Sequence, residues 1–203
     1  MLKLITLIGA ILSLFIVTIF IPLISRVLKD KTGKILAMLP LSIFLYLSSY
    51  IPKVCIASEI QTYSILKSWF PALGIHFSLY LDGLSLIFAL LISGIGTLIV
   101  IYGSGYLHGH QYLNRFYIYL FLFMGSMLGV VLVGNLITIF IFWELTSFTS
   151  YLLIGFNNES EKSRYAALQA LFVTGLGGLA LLAGFVLIGT VSGTFELDRK
   201  SVV

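Results

Sequence analysis

The sequence predicts an all-α membrane protein of about six transmembrane helices with its N-terminus outside. Two observations carry the class. Apolar residues make up 59% of the 203 and charged residues only 10%, where soluble domains carry about 25% charged; mean hydropathy is +1.08. The charges also sit between six apolar runs, each near the ~20 residues a helix needs to cross a bilayer. A third observation points to function: Glu144 lies near the middle of the run from Leu136 to Ile154.

The six spans run near Leu4–Ser25, Ile35–Ile51, Leu84–Tyr102, Phe116–Val133, Leu136–Ile154 and Tyr165–Thr190. All should be helical, because lipid offers no partner for an open backbone. The first follows Lys3; its apolar run is too long for a signal-peptide core and no small-residue cleavage site follows. The second is the weakest, short and marked by Pro40 and Pro52, of which Pro40 is tolerable in the first turns or as a kink.

The net charge of +4 fits basic loops of a membrane protein, and no Lys/Arg-aromatic patch of the kind single strands need is present; no nucleic-acid partner is expected. The loop from Arg26 to Lys34 is the densest in basic residues, and the loops holding His108, His110 and Arg115, and Glu159, Glu161, Lys162 and Arg164, lie on its side. The positive-inside rule makes these cytoplasmic and the N-terminus external. Lys3, Lys53, Lys67, Arg199 and Lys200 fall opposite, so the first loop decides the orientation.

The chain then divides into 1–81, two helices and an external loop; 82–190, four helices including the one bearing Glu144; and 191–203, a polar tail, truncated or non-native. In the external loop, Tyr63, Trp69 and Tyr80 suit a membrane interface, and His76–Leu81 alternates as a short strand would. Asp82 is placed to cap the third helix. Gly134-Asn135 alone joins spans four and five, so these form a tight antiparallel hairpin. Gly125 and Gly129 give span four a small-xxx-small face for close helix contact. Span six carries Gly175, Gly177, Gly178, Gly184 and Gly189, the mark of a helix packed in a bundle or able to bend.

An acid at the depth of Glu144 costs at least ~2.5 kcal/mol on insertion scales, so it should face protein or water. At helical spacing Ser147 and Tyr151 share its face. It reads as an ion- or proton-handling carboxylate or as a structural acid bonded to a neighbouring helix. No Lys or Arg lies deep in the other spans, so any cationic partner lies outside these residues. No metal site is expected: His108 and His110 have no further ligands near them, and His76 reads as an external loop residue. Cys55 is the sole cysteine and cannot form an internal disulfide. No glycine pattern follows a strand as nucleotide sites require; no cofactor is expected.

Several stretches together resemble one family. They are Leu81-Asp-Gly-Leu-Ser85, Arg115-Phe-Tyr117, Phe123 to Leu132, Phe142-Trp-Glu-Leu-Thr-Ser147 and Ser150-Tyr-Leu-Leu-Ile-Gly-Phe156. The family is the large antiporter-like subunits shared by Mrp-type multisubunit Na+/H+ antiporters and respiratory complex I. Phe-Trp-Glu-Leu-Thr-Ser, with the glycine-alanine run at 177–184, is closer in wording to the large MrpA-type antiporter subunits than to complex I chain 5 (the L-type subunits). The likeness covers about 75–190; the first two spans match only in hydrophobic pattern. It implies that Glu144 governs a proton step as partner of a lysine on a broken seventh helix. That lysine has no counterpart here, so the chain looks like an N-terminal fragment. Implied partners are other membrane subunits, H+ and Na+, and the lipid bilayer of a bacterial inner membrane; the chain would be a transporter subunit rather than an enzyme. Two other readings stay open: a proton-pumping subunit of NADH:quinone oxidoreductase or of a membrane-bound hydrogenase, and a bundle with only an assembly role.

Overall fold

The computed structural model describes residues 2–28, 31–56, 61–70, 75–107, 109–110 and 112–197, with side chains described except at 2–5 and 55–77. The side chains of Lys3, Cys55, Tyr63, Lys67, Trp69 and His76, and residues His108, Arg199 and Lys200, therefore lie outside the described set. The elements in order are α1 (Leu2–Leu28), α2 (Thr32–Ser48), a π-helical turn (Pro52–Ile56), β1 (Gln61–Phe70), β2 (Ile75–Leu81), α3 (Gly83–Tyr106), α4 (Leu113–Leu132), α5 (Leu136–Ile154) and α6 (Glu161–Ser192). Six helices are long and apolar enough to cross a membrane; this is a multi-pass membrane protein.

Helix α4 is the hub. It packs on α1, α3 and α5, while α2 lies on α3 and α6 on α5. Its rings Tyr117 and Phe121 are fully buried, as is the α1 stripe Leu7, Leu14 and Ile21, one residue every two turns. Ile11 is buried with them, while Leu12, Ile16, Ile19 and Phe20 turn outward: Ile19 is 75% exposed where Leu14 is 0%. That split marks an outward apolar side of α1, of the kind a membrane helix can carry. Gly125 and Gly129 do not serve one helix pair. A Cβ at Gly125 would meet the ring of Phe15 on α1, and one at Gly129 the ring of Phe142 on α5. Each glycine is a notch for an aromatic ring, not a site of close backbone approach.

Pro40 is interior to α2, because the helix begins at Thr32 rather than Ile35. The external segment holds more regular structure than its composition suggests. β1 and β2 pair antiparallel, with Gln61 opposite Leu81 and irregularities either side of Ser68. Only β2 has a clean alternation, which is why β1 is not visible in sequence. Asp82 caps α3: its carboxylate accepts from the Ser85 amide at 2.8 Å, and the Ser85 hydroxyl accepts from the Asp82 amide at 2.8 Å, a reciprocal box.

The hairpin end of the bundle is locked by Asn135. Its side-chain oxygen accepts from the amides of Ile137 and Thr138, capping α5, and its Nδ2 donates to Glu196 at 2.8 Å. The other Glu196 oxygen accepts from the Ser78 hydroxyl on β2. Backbone bonds join the same segments: Gly134 N to Ser78 O, Leu136 N to Phe195 O and Leu197 N to Gly134 O, at 2.9, 2.8 and 2.7 Å. So 193–197, which the sequence presents as the start of a polar tail, turn back at Gly193 (φ 71°) and pin the α4–α5 turn to the β-hairpin. Asn135→Ala removes a cap and strips a carboxylate of a donor, and should lower stability in detergent by about 2–4 kcal/mol. Glu196→Gln, which keeps an acceptor oxygen, should cost less than half of that in the same thermal melts.

Candidate functional site

Glu144 sits nine residues into α5. One half of its carboxylate, Oε1, is buried with no hydrogen-bond partner among the described residues. The reason it fits there is Gly178, a buried position on α6. A Cβ on Gly178 would overlap Glu144 Oε1, and would meet the Trp143 ring at 3.7 Å. The glycine removes one side chain from α6 so that the carboxylate can lie in the α5–α6 seam. Of the glycines in α6, Gly175, Gly177 and Gly184 have open space at the Cβ position, and Gly189 faces the ring of Phe195. Only the register of α6 against α5 distinguishes Gly178 from its neighbours, and no single-sequence signal encodes that register.

The residues on the face of Glu144 separate in the structure. Ser147 is buried, but its hydroxyl donates to the Trp143 carbonyl at 3.3 Å, a bond within its own helix. Thr146 and Thr149 likewise bond back to Trp143 and Leu145 carbonyls at 2.7 and 2.8 Å. Such back-bonds satisfy hydroxyls in an apolar helix without a partner helix. Tyr151 lies about 10 Å further along the axis and lines a separate cavity of about 220 Å³ with Arg115, Tyr119, Asn158 and Arg164. Asp82 belongs to the opposite end of the bundle, as a helix cap.

Among the described residues, no three of His, Cys, Asp and Glu come together as metal ligands would. His110 is a loop residue whose Nδ1 accepts from the Tyr112 amide at 3.2 Å, with its ring against Tyr112 and Phe156. Glu196 is the acid that sequence reasoning missed: its partner Asn135 is 61 residues away, and nothing local marks that pairing.

The chain resembles known proteins in sequence and in fold. Residues 69–117 match the family described as NADH-ubiquinone oxidoreductase (complex I), chain 5 N-terminus. Residues 133–202 match the NADH:quinone oxidoreductase/Mrp antiporter transmembrane family, so the likeness runs past residue 190. The A1 subunit of the Na+/H+ antiporter of Staphylococcus haemolyticus is 44% identical over 193 residues, 94% of this chain and 23% of that protein. The corresponding Na+/H+ antiporter subunit of Alkalihalophilus pseudofirmus, also of the A type, is 44% identical over 190 residues, 93% of this chain and 23% of that protein. The match therefore includes the first two helices in sequence, not only in hydrophobic pattern. The chain spans about a quarter of the length of these relatives. In the Mrp complex from Dietzia sp., one chain superposes with a TM-score of 0.81 at 33% identity, covering 94% of this chain and 20% of that one. An archaeal membrane-bound sulfane sulfur reductase shares the fold, with a TM-score of 0.74 at 19% identity over 96% of this chain and 40% of that one. With six membrane-length helices among the described residues, both family matches in sequence and relatives 44% identical over nearly all of its length, this chain belongs to the antiporter-like membrane subunit family shared by NADH:quinone oxidoreductase and the Mrp antiporters.

Proposed function

We propose that these residues supply the N-terminal helices of the large MrpA-type subunit of a multisubunit antiporter, which exchanges Na+ for H+ across a bacterial membrane at the expense of the proton gradient. Glu144 takes and gives the proton. The observation that carries this is the carboxylate in the α5–α6 seam, half of it buried without a partner. A buried carboxylate oxygen with no donor costs stability and stays open to a donor or cation that a neighbouring segment brings beside it. That is the property a coupling residue needs, and a merely structural acid would be expected to have its hydrogen bonds made. Ser147 and Tyr151 are the polar residues that share the helix face of Glu144. The partner cation and the Na+ path would come from the other three-quarters of a protein of the relatives' length, and from further membrane subunits.

The choice of Na+/H+ exchange over a respiratory complex rests on the two bacterial relatives, both Na+/H+ antiporter subunits. Respiratory-complex membership remains the second reading, because both matched family descriptions name the quinone oxidoreductase. The test uses everted vesicles from an antiporter-deficient strain expressing the complete operon that encodes this chain. Added Na+ should collapse an imposed pH gradient, and vesicles holding the 203 residues alone should give no coupled exchange. A Na+ response absent with every subunit in the membrane, or a pH gradient generated by NADH oxidation through the same complex, would refute the antiporter reading.

A further inference from the structure

The second cavity is not explained by proton transfer at Glu144. It lies where the N-termini of α4 and α6 meet the C-terminus of α5, at the end that the loop charges place in the cytoplasm. Arg115 and Arg164 line it with the rings of Tyr119 and Tyr151 and with Asn158; no carboxylate is among its lining residues. Both arginines are held in place from the protein side. The Arg115 guanidinium lies 5.1 and 5.7 Å from the ring centres of Tyr112 and Tyr119 and donates to the Tyr119 hydroxyl at 3.3 Å. Arg164 donates through one Nη to the Asn158 carbonyl at 2.7 Å.

The charged side chains that line this cavity, Arg115 and Arg164, have one sign. Two guanidiniums are joined by the positive ends of two helices, against the negative end of one. Glu159 and Glu161 are close in sequence, but both are exposed and outside the lining. The cavity, at about 220 Å³, is far larger than the ~10–15 Å³ a single water requires, and planar guanidiniums match phosphate oxygens in pairs. A positive cavity repels hydronium, so it is a poor proton entrance. It is also continuous with the lipid-facing side. Leu168 lines it, and Tyr165, Leu168 and Phe172, at 70, 43 and 67% exposure, form one outward stripe along α6 that would lie beside acyl chains.

We propose that this cavity binds the phosphate of an anionic phospholipid from the cytoplasmic leaflet, with Arg115 and Arg164 as ligands and the acyl chains along α6. The lipid would brace α6, which among the described residues packs mainly against α5, through a site that nothing in the Glu144 chemistry uses.

The experiment is native mass spectrometry and thermal melting of the full-length protein that carries these residues, in neutral detergent, titrated with phosphatidylglycerol, phosphatidylcholine or inorganic phosphate. One phosphatidylglycerol should be retained through delipidation and should raise the melting temperature, while phosphatidylcholine should do neither. Arg115→Gln with Arg164→Gln should weaken that retention about tenfold or more, the loss of charge-assisted bonds to the phosphate. Arg164→Lys, which keeps the charge and the fold but not the fork, should fall between. Equal retention by the double glutamine variant overturns the assignment of these arginines. Displacement of the lipid by inorganic phosphate at matched concentration overturns the lipid in favour of a soluble anion, and failure of both anions to bind overturns the site.

Discussion

Glu144→Gln in the full-length protein, assembled with its partners, should reduce Na+-dependent proton movement by at least about a hundredfold, the scale of a lost proton-transfer group. Gln has nearly the shape of Glu and can rest on Gly178 in the same way, but it can neither ionise nor exchange a proton. Stability should not fall with it. Gln adds no bulk against Gly178 and replaces a carboxylate oxygen that is buried without a partner, a group costly to bury, so the variant should melt at the same temperature or higher. Loss of exchange with stability kept or gained is the signature of a charge retained for function. Vesicles in which the Gln variant, expressed at the normal level, exchanges Na+ at the wild-type rate would remove Glu144 from the mechanism. A variant that loses exchange only because it melts early would make it a structural acid.

How much of this could be read from the chain alone depends on which physical signal each feature leaves. The helices were legible because the bilayer imposes length: the predicted Leu136–Ile154 is α5 residue for residue. Boundaries drifted where helices project beyond the apolar layer. α6 runs from Glu161 to Ser192, about 48 Å at 1.5 Å per residue, longer than the ~30 Å hydrocarbon core. Its polar first turn therefore looked like loop, although Ser160 caps it through the Ser163 amide. The depth of Glu144 was legible for the same reason as the helix, since an acid in an apolar run has no hiding place in composition. Its seat was not. Glycines along α6 look equivalent in sequence, and only three-dimensional register gives Gly178 the carboxylate. Likewise Ser147 and Tyr151 share the face of Glu144 by periodicity, but periodicity says nothing of what each hydroxyl bonds. Ser147 spends its hydroxyl on its own helix, and Tyr151 reaches a different cavity. The Asn135–Glu196 lock joins residues 61 apart, and the residues that signal it locally, Gly134-Asn135 and Gly193, signal only a turn and a stop.

Gly178→Ala should be the single methyl group in α6 that most reduces exchange. The added Cβ would overlap Glu144 Oε1 and come into ordinary contact with Trp143. Overpacking a seam costs about 1–3 kcal/mol unless a flexible side chain gives way, and here the part that can give way is the carboxylate. Glu144 should swing out of the seam, leaving the protein folded and exchange reduced by about tenfold or more, since misplacing a reacting group by an ångström has cost a hundredfold elsewhere. The complementary change identifies the cause. Glu144→Asp shortens the side chain by one methylene, which alone draws the carboxylate back from α6 and should lower exchange. Combined with Gly178→Ala, it vacates the volume that the new methyl needs. The double variant should therefore exchange faster than Gly178→Ala alone, a coupling opposite in sign to two independent injuries. Ala at Gly175 or Gly177, where a Cβ meets open space, should leave exchange near wild type. Additive losses in the double variant, or equal losses at Gly175 and Gly178, would mean that α6 tolerates no methyl anywhere and that Gly178 has no particular tie to the carboxylate.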